Sequence, residues 1–205
     1  LPSVGSARCV PETRFFVEKN AKVRYVEKHY GSGDGSGERI MNPTTEIHLA
    51  EGASLEMETV QIKGIDSTAR TTTADVAEGA SLVIREKIMT HGKQYAETDF
   101  TVHMDGKDSS VNLISRSVAK ERSRQIFRSR IVGNASCHGH SECDAIIMDE
   151  ASVSAIPELT ANHIDANLIH EAAIGKIAGE QLIKLMTLGL TEKEAEEQIV
   201  KGFLK

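Results

Sequence analysis

The sequence predicts a mainly β protein: a right-handed parallel β-helix (solenoid) core followed by a C-terminal helical segment. Three observations carry this expectation. The hexapeptide AEGASL occurs at 50–55 and again at 77–82, a period of 27. The apolar residues around the two copies keep step, Leu49, Ala53, Leu55 and Met57 falling on Val76, Ala80, Leu82 and Ile84. After Pro157 the apolar period changes from two to 3.6. A fixed repeat in the twenties, with strand alternation and no helix between strands, marks coils that stack because none buries its inner face alone. A β-sandwich is the competing arrangement of such strands.

Taken in order, residues 1–39 form an N-terminal segment ending in GSGDGSG at 31–37, expected to be a flexible loop. This stretch misses the dinucleotide-binding spacing, because Ser36 stands where the third glycine belongs and Pro43 soon follows. The β-helix core is assigned to 40–157. A third, degenerate copy of the repeat, MDEASVSAI at 148–156, places Ile147, Ala151, Val153 and Ala155 at the equivalent positions. Its distance from the second copy is not a multiple of the period, which implies coils of varying length.

Within the core, Arg116, Lys120, Arg122, Arg124, Arg128 and Arg130 occupy even positions, and mostly small or apolar residues occupy the odd ones. Period two means strand with one charged face. That face is either an ordinary solvated surface or a basic patch for an acidic partner.

Residues 158–205 read as a C-terminal helical segment. GEQLIKLMTLG at 179–189 gathers Leu182, Leu185 and Met186 on one side and stops at Gly189. A second helix opens with Thr191 and Glu194, the spacing of a capping box, and carries the stripe Ala195, Ile199, Phe203. This helical hairpin must pack on the solenoid or on another protein.

Composition narrows the setting. The chain has 205 residues, 40% hydrophobic and 26% charged, which suits one soluble domain with at most a small appendage. With no Trp, three Tyr and five Phe, its core must be aliphatic. The formal charge of −6 and the lack of stacking aromatics argue against nucleic acid as a partner. No apolar run approaches a membrane span, and LPSVGSARCV lacks the apolar stretch of a secretory signal. Beginning at Leu1 rather than Met, the chain is expected to lack an N-terminal part. Cysteines at 9, 137 and 143 make an odd, sparse set, better suited to a reducing cytoplasmic setting than to a disulfide framework.

The densest run of metal-binding residue types is CHGHSECD, 137–144. Its spacing is not that of paired structural zinc ligands. Alternation along a strand sends Cys137 and Cys143 to one face and His138 and His140 to the other, so the octapeptide does not form one four-ligand site. Cys143 shares parity with Ala145 and Ile147, which fits a buried core cysteine. The other candidate is HEAAIGKI, 170–177, where His170 and Glu171 could ligate iron or zinc, perform acid/base work, or simply enter a surface helix.

From about residue 140 onward the order of features resembles the SufB/SufD family of iron–sulfur cluster assembly proteins. The matching stretches are SECDAIIMDEASVSAIPEL (141–159), LIHEAAIGKIAGEQLIKLMTLGLTEKEAEEQIVKGF (168–203) and, less distinctly, RIVGNASCHGH (130–140). Cys143, Asp149, Ala151, Pro157, His170, Gly189, Gly202 and Phe203 follow in the family's order. The resemblance implies a β-helical scaffold on which a transient iron–sulfur cluster is built. It also implies a SufC-like ATPase partner docked through the C-terminal helices, and pairing as a homodimer or with a SufB/SufD paralogue. Cys143 stands at the cluster-assembly cysteine, His170 at the interface histidine and Glu171 at the acidic neighbour of the SufB type. Thiolate, imidazole and carboxylate are all competent iron ligands.

Departures are Leu188 before Gly189, where the family has Arg, an IKLM run in place of a helix aromatic, and about half the usual length. No Walker motif is present, so ATP hydrolysis is expected in the partner and the chain itself is not expected to be an enzyme. Two other readings stay open: a SufD-like structural subunit without a cluster, and a zinc-dependent hydrolase using His138, His140 and a carboxylate.

Overall fold

The computed structural model describes residues 7–31 and 37–205. Of the GSGDGSG loop, therefore, only Gly31 and Gly37 fall among the described residues. The chain winds as a parallel β-solenoid of about six turns, contributing strands alternately to two sheets. The first sheet contains β1 (Ala7–Cys9), β2 (Glu12–Val17), β4 (Arg39–Met41), β5 (Thr44–Leu49), β7 (Ser67–Val76), β9 (Tyr95–Met104), β11 (Arg124–Gly133) and β13 (Ser152–Ala161). The second stacks β3 (Lys22–Tyr30), β6 (Ser54–Lys63), β8 (Ser81–Thr90), β10 (Ser109–Ala119), β12 (Cys137–Ile147) and β14 (Ala166–Gly175). Neighbouring strands in both sheets run parallel.

The AEGASL repeat is one edge of this stack. Ser54 of the first copy pairs with Ser81 of the second, one period on, and Ser81 pairs in turn with Ser110. At this edge a corner residue with positive φ recurs in four successive coils: Asn20, Gly52, Gly79 and Asp108. Each donates its N–H to the next coil, Asn20 to Glu51 O, Gly52 to Glu78 O, Gly79 to Lys107 O and Asp108 to Ser136 O, at 2.7–3.0 Å. The glycine letter of the motif thus follows from a left-handed corner that costs glycine nothing, and Asn and Asp tolerate the same backbone.

The third copy of the repeat lies on the opposite edge. Its corner links β12 to β13, whereas the first two copies link the first sheet to the second. This accounts for its irregular spacing better than varying coil length does, although coils do vary. The opposite edge has its own positive-φ column, Gly92, Glu121 and Asp149. There the links are carboxylates: Gly92 N–H donates to Glu121 Oε2 at 2.7 Å, and Glu121 N–H to Asp149 Oδ2 at 2.9 Å.

Inward residues of both sheets close an aliphatic core. Ile47, Leu55, Met57, Leu82, Ile84, Met104, Leu113 and Ile131 are fully buried. Phe100 and Phe127 meet inside at a centroid separation of 5.9 Å. Stacking is what buries these side chains, since the terminal coils, covered on one side only, leave their inner faces half-exposed.

The coils run past both limits expected for the core, 40 and 157. They begin with β1–β3 and end at Gly175, and Pro157 lies inside β13, paired with Ser129. An outermost strand has no neighbour on one side, so it can hold a proline that a central strand would reject. The stretch containing His170 is accordingly strand β14 rather than a helix entrance.

The helices are α1 (Gly179–Met186), with no buried residue, and α2 (Glu192–Phe203), which buries Ala195 and Val200. The capping box at Thr191 and Glu194 forms, and Gly189 between the helices has φ +95°. Lys87 Nζ donates to Lys205 O at 2.8 Å, tying the chain end to the second sheet.

Candidate functional site

The candidate donors sit on β12 and β14, the last two strands of the second sheet. Along β12, Cys137, Gly139, Ser141, Cys143 and Ala145 are buried, while His138, His140, Glu142 and Asp144 face outward. The pairing Ser141↔His170 and Cys143↔Ala172 carries the same parity into β14. Cys143 and His170 are thus diagonal neighbours on the inner face. Glu171 points the other way, beside Glu142, and its Oε2 lies 3.4 Å from His140 Nε2.

The structure therefore brings two of the three expected site residues together and leaves the third across the sheet, because adjacent residues of a strand take opposite faces. Among the described residues, no three His, Cys, Asp or Glu side chains converge as a metal-binding group.

The interior around Cys143 is polar. Along the second sheet its inward column runs Thr59, Glu86, Ser115, Cys143, Ala172. Glu86 is 3% exposed; Thr98 Oγ1 donates to one of its oxygens at 2.8 Å and Ser115 Oγ to the other at 3.1 Å. Burial raises the Glu86 carboxyl above its ordinary value, against the pull of the Arg70 charge and the two hydroxyls. Burial, then the charges of Glu86 and Asp144, push the Cys143 thiol up to about 12. Cys137 is raised by burial as well. His170 is lowered by burial and by the His140 charge, and its Nδ1 is buried without a hydrogen-bond partner. The inner face thus offers a protonated thiol beside a neutral imidazole with a free nitrogen.

Farther along the interior, Arg70 is 6% exposed, with Nη2 lying 3.4 Å from both Glu27 Oε1 and His29 Nδ1. Burial works against the charge of Glu27, but its His29 hydrogen bond and the Arg70 charge hold the carboxyl below its usual value. This buried ionic file was not expected from the sequence. The signal was there: Glu86 shares the parity of Leu82, Ile84 and Ile88, which the repeat assigns to the core.

The basic alternation from Arg116 to Arg130 breaks at the corner between β10 and β11. Arg128 pairs with Glu97 and Arg130 with Glu158, each at 3.0 Å. These pairs make an ordinary solvated face. Among the described residues, no helix is long and apolar enough to cross a membrane.

Comparison with known proteins gives one family. The profile described as "SUF system FeS cluster assembly, SufBD core domain" matches residues 13–203. An iron-sulfur cluster assembly SufBD family protein of Archaeoglobus fulgidus is 33% identical over 195 residues, covering 94% of this chain and 52% of the relative. A homologue from Methanothermobacter thermautotrophicus is 30% identical, covering 98% of this chain and 49% of the relative. One from Methanocaldococcus jannaschii is 30% identical, covering 92% and 60%. The chain spans about half the length of the curated relatives it matches.

Proposed function

The chain belongs to the SufBD family of iron–sulfur cluster assembly proteins, and from that premise we propose that it is a scaffold subunit that holds a nascent cluster transiently. The observation that carries this reading is the adjacency of Cys143 and His170 on the inner face of the last coils. One is a thiol, the other an imidazole with an unengaged nitrogen, and both types ligate iron. The cluster is cargo: iron and sulfide enter, and the assembled unit leaves.

Two donors do not complete a cluster, so the remaining ligands come from a facing chain. The last coil suits such a meeting. Its outer strands lack a further neighbour, and Ile156, Leu159 and Ile174 are 44%, 37% and 38% exposed. A second copy or a SufB/SufD paralogue would cover this end and bring its own thiolate or imidazole. Glu171, on the other face, would act at the rim as an oxygen ligand or proton acceptor.

A SufC-type ATPase would supply the drive, docking on the helices, where Ile183 and Leu188 are 63% and 77% exposed. The chain itself would be a non-enzymatic component of a cytoplasmic complex. The burial of Cys143, with its thiol at about 12, favours one rival: a SufD-like subunit that shapes the complex without holding a cluster.

The test is anaerobic co-expression with the ATPase, followed by iron and sulfide quantitation. The scaffold reading expects a chromophore that Cys143→Ser abolishes while the complex persists. Unchanged iron and sulfide in that variant would establish the structural reading instead.

A further inference from the structure

We propose that the interior binds one ordered water molecule between Thr59 of β6 and Arg70 of β7, joining the two sheets where their side chains do not meet directly. The strand register locates the site. Thr59 pairs with Glu86 along the second sheet, and Arg70 with Thr98 along the first. Glu86 and Thr98 therefore stand one coil on from Thr59 and Arg70, and Thr98 Oγ1 donates to Glu86 across the interior at 2.8 Å. The earlier pair makes no such bond: Thr59 Oγ1 and Arg70 Nη1 are both buried without a hydrogen-bond partner. The two residues are 4% and 6% exposed, so bulk solvent does not serve these atoms. Leaving a buried hydroxyl and a guanidinium N–H unmet is costly, and more so for the charged group.

Thr59 and Arg70 line one cavity, together with His29, Thr68, Glu86 and Thr98. It leaves about 10 Å³ for the centre of a water-sized sphere, which is room for a single molecule. A buried water typically needs roughly two to four polar partners, and this wall supplies them. The surrounding charges select a neutral ligand. The Arg70 guanidinium repels a cation, and its own charge is already met by Glu27 Oε1, 3.4 Å from Nη2. With the Glu86 carboxyl on the wall as well, no surplus positive charge remains for an anion. Water suits both atoms at once: Arg70 Nη1–H donates to it, and it donates to Thr59 Oγ1. The bridge thus reproduces, through one molecule, the cross-sheet bond that Thr98 and Glu86 make directly.

The test is a crystal structure of the full chain at a resolution that shows ordered interior waters, joined to denaturant melts of two variants. A single peak is expected within about 2.7–3.2 Å of both Thr59 Oγ1 and Arg70 Nη1. Thr59→Val keeps the side-chain shape but removes the hydroxyl. It should weaken or abolish the peak and raise the unfolding equilibrium constant about fivefold or more. Thr59→Ser retains the hydroxyl and should keep the peak. The sign of the Thr59→Val result is decisive, because in a dry interior the same change removes an unmet hydroxyl and stabilises the fold. Absence of the peak in wild type overturns the proposal, as does a Thr59→Val protein at least as stable as wild type. So does a peak with anomalous signal, which would mark chloride or a metal ion instead. The wild-type map decides even if a variant misfolds. None of these results involves cluster reconstitution, so the scaffold reading stands or falls separately.

Discussion

Ser115 and Cys143 are in-register neighbours on the inner face of the second sheet, and the Ser115 hydroxyl donates to the buried carboxyl of Glu86. The thiol most relevant to cluster assembly thus shares its interior column with an acid. Both the depth of that thiol and the acid itself have measurable consequences.

In the isolated chain, Cys143 should resist thiol reagents. It is 1% exposed, and with its thiol at about 12 its thiolate fraction at pH 8 is about 10⁻⁴. Cys137 is buried too, whereas Cys9 is exposed. A disulfide-exchange reagent should titrate one thiol per chain in native protein and three in guanidinium. If docking with a second chain frees Cys143, the native count should rise on complex formation.

Glu86 should make stability depend on pH in a characteristic direction. Its folded carboxyl lies above the ordinary value of 4.5. Between the two values the native state keeps a proton that the unfolded chain has released, so stability falls as pH rises through that window. Glu86→Gln removes the titration, and its stability relative to wild type should improve from pH 4 towards neutrality in denaturant melts. Glu86→Ala strands the hydroxyls of Thr98 and Ser115 and should cost about 2–4 kcal/mol.

Gly139 should accept a side chain only at a cost. It belongs to the inward column Leu55, Leu82, Val111, Gly139, Leu168. A Cβ there would stand 2.7 Å from Leu168 Cδ2 and 3.0 Å from Ile131 Cγ2. Leu168 lies in the half-exposed last coil and can swing aside, but Ile131 is fully buried, so Gly139→Ala should lose about 1 kcal/mol, read as a lower denaturant midpoint. His138→Ala, one residue away on the outer face, should be close to neutral.

The capping box should control the C-terminal helix locally. Thr191 Oγ1 accepts from Glu194 N–H at 3.3 Å, and Thr191 N–H donates to Glu194 Oε2 at 2.8 Å. Thr191→Ala should cost about 1 kcal/mol of helix stability, seen as faster amide exchange in α2 with β-strand protection unchanged. Loss of protection throughout the solenoid would mean that the helix supports the whole core.

Much of this was legible in the chain. The repeated hexapeptide fixes the stacking step between β6 and β8, and parity alone divides Cys137 and Cys143 from His138 and His140. What parity could not supply was the edge on which a corner lies. The 148–156 copy resembles the first two because every left-handed corner needs the same chemistry, although it turns the opposite way. Pro157 likewise reads as the end of the β pattern, and only its place in an outermost strand shows why the pattern continues. The split of Glu171 from His170 follows from the same parity once the segment is known to be strand. Reading it as an approach to a helix hid that division. The ionic file of Glu27, Arg70 and Glu86 needed coils far apart in sequence to be set side by side.

The wall between the two sets of donors is a single strand thick, which gives β12 the character of a reading frame. Removing one residue of β12 ahead of His140 would turn the sheet inside out at this point, sending the thiol to solvent and His140 into the interior. Within strands, change must therefore come by substitution or in steps of two. Freedom of length belongs to the corners, where the coil that carries Lys22 onto Ser54 is longer than the one that carries Ser54 onto Ser81.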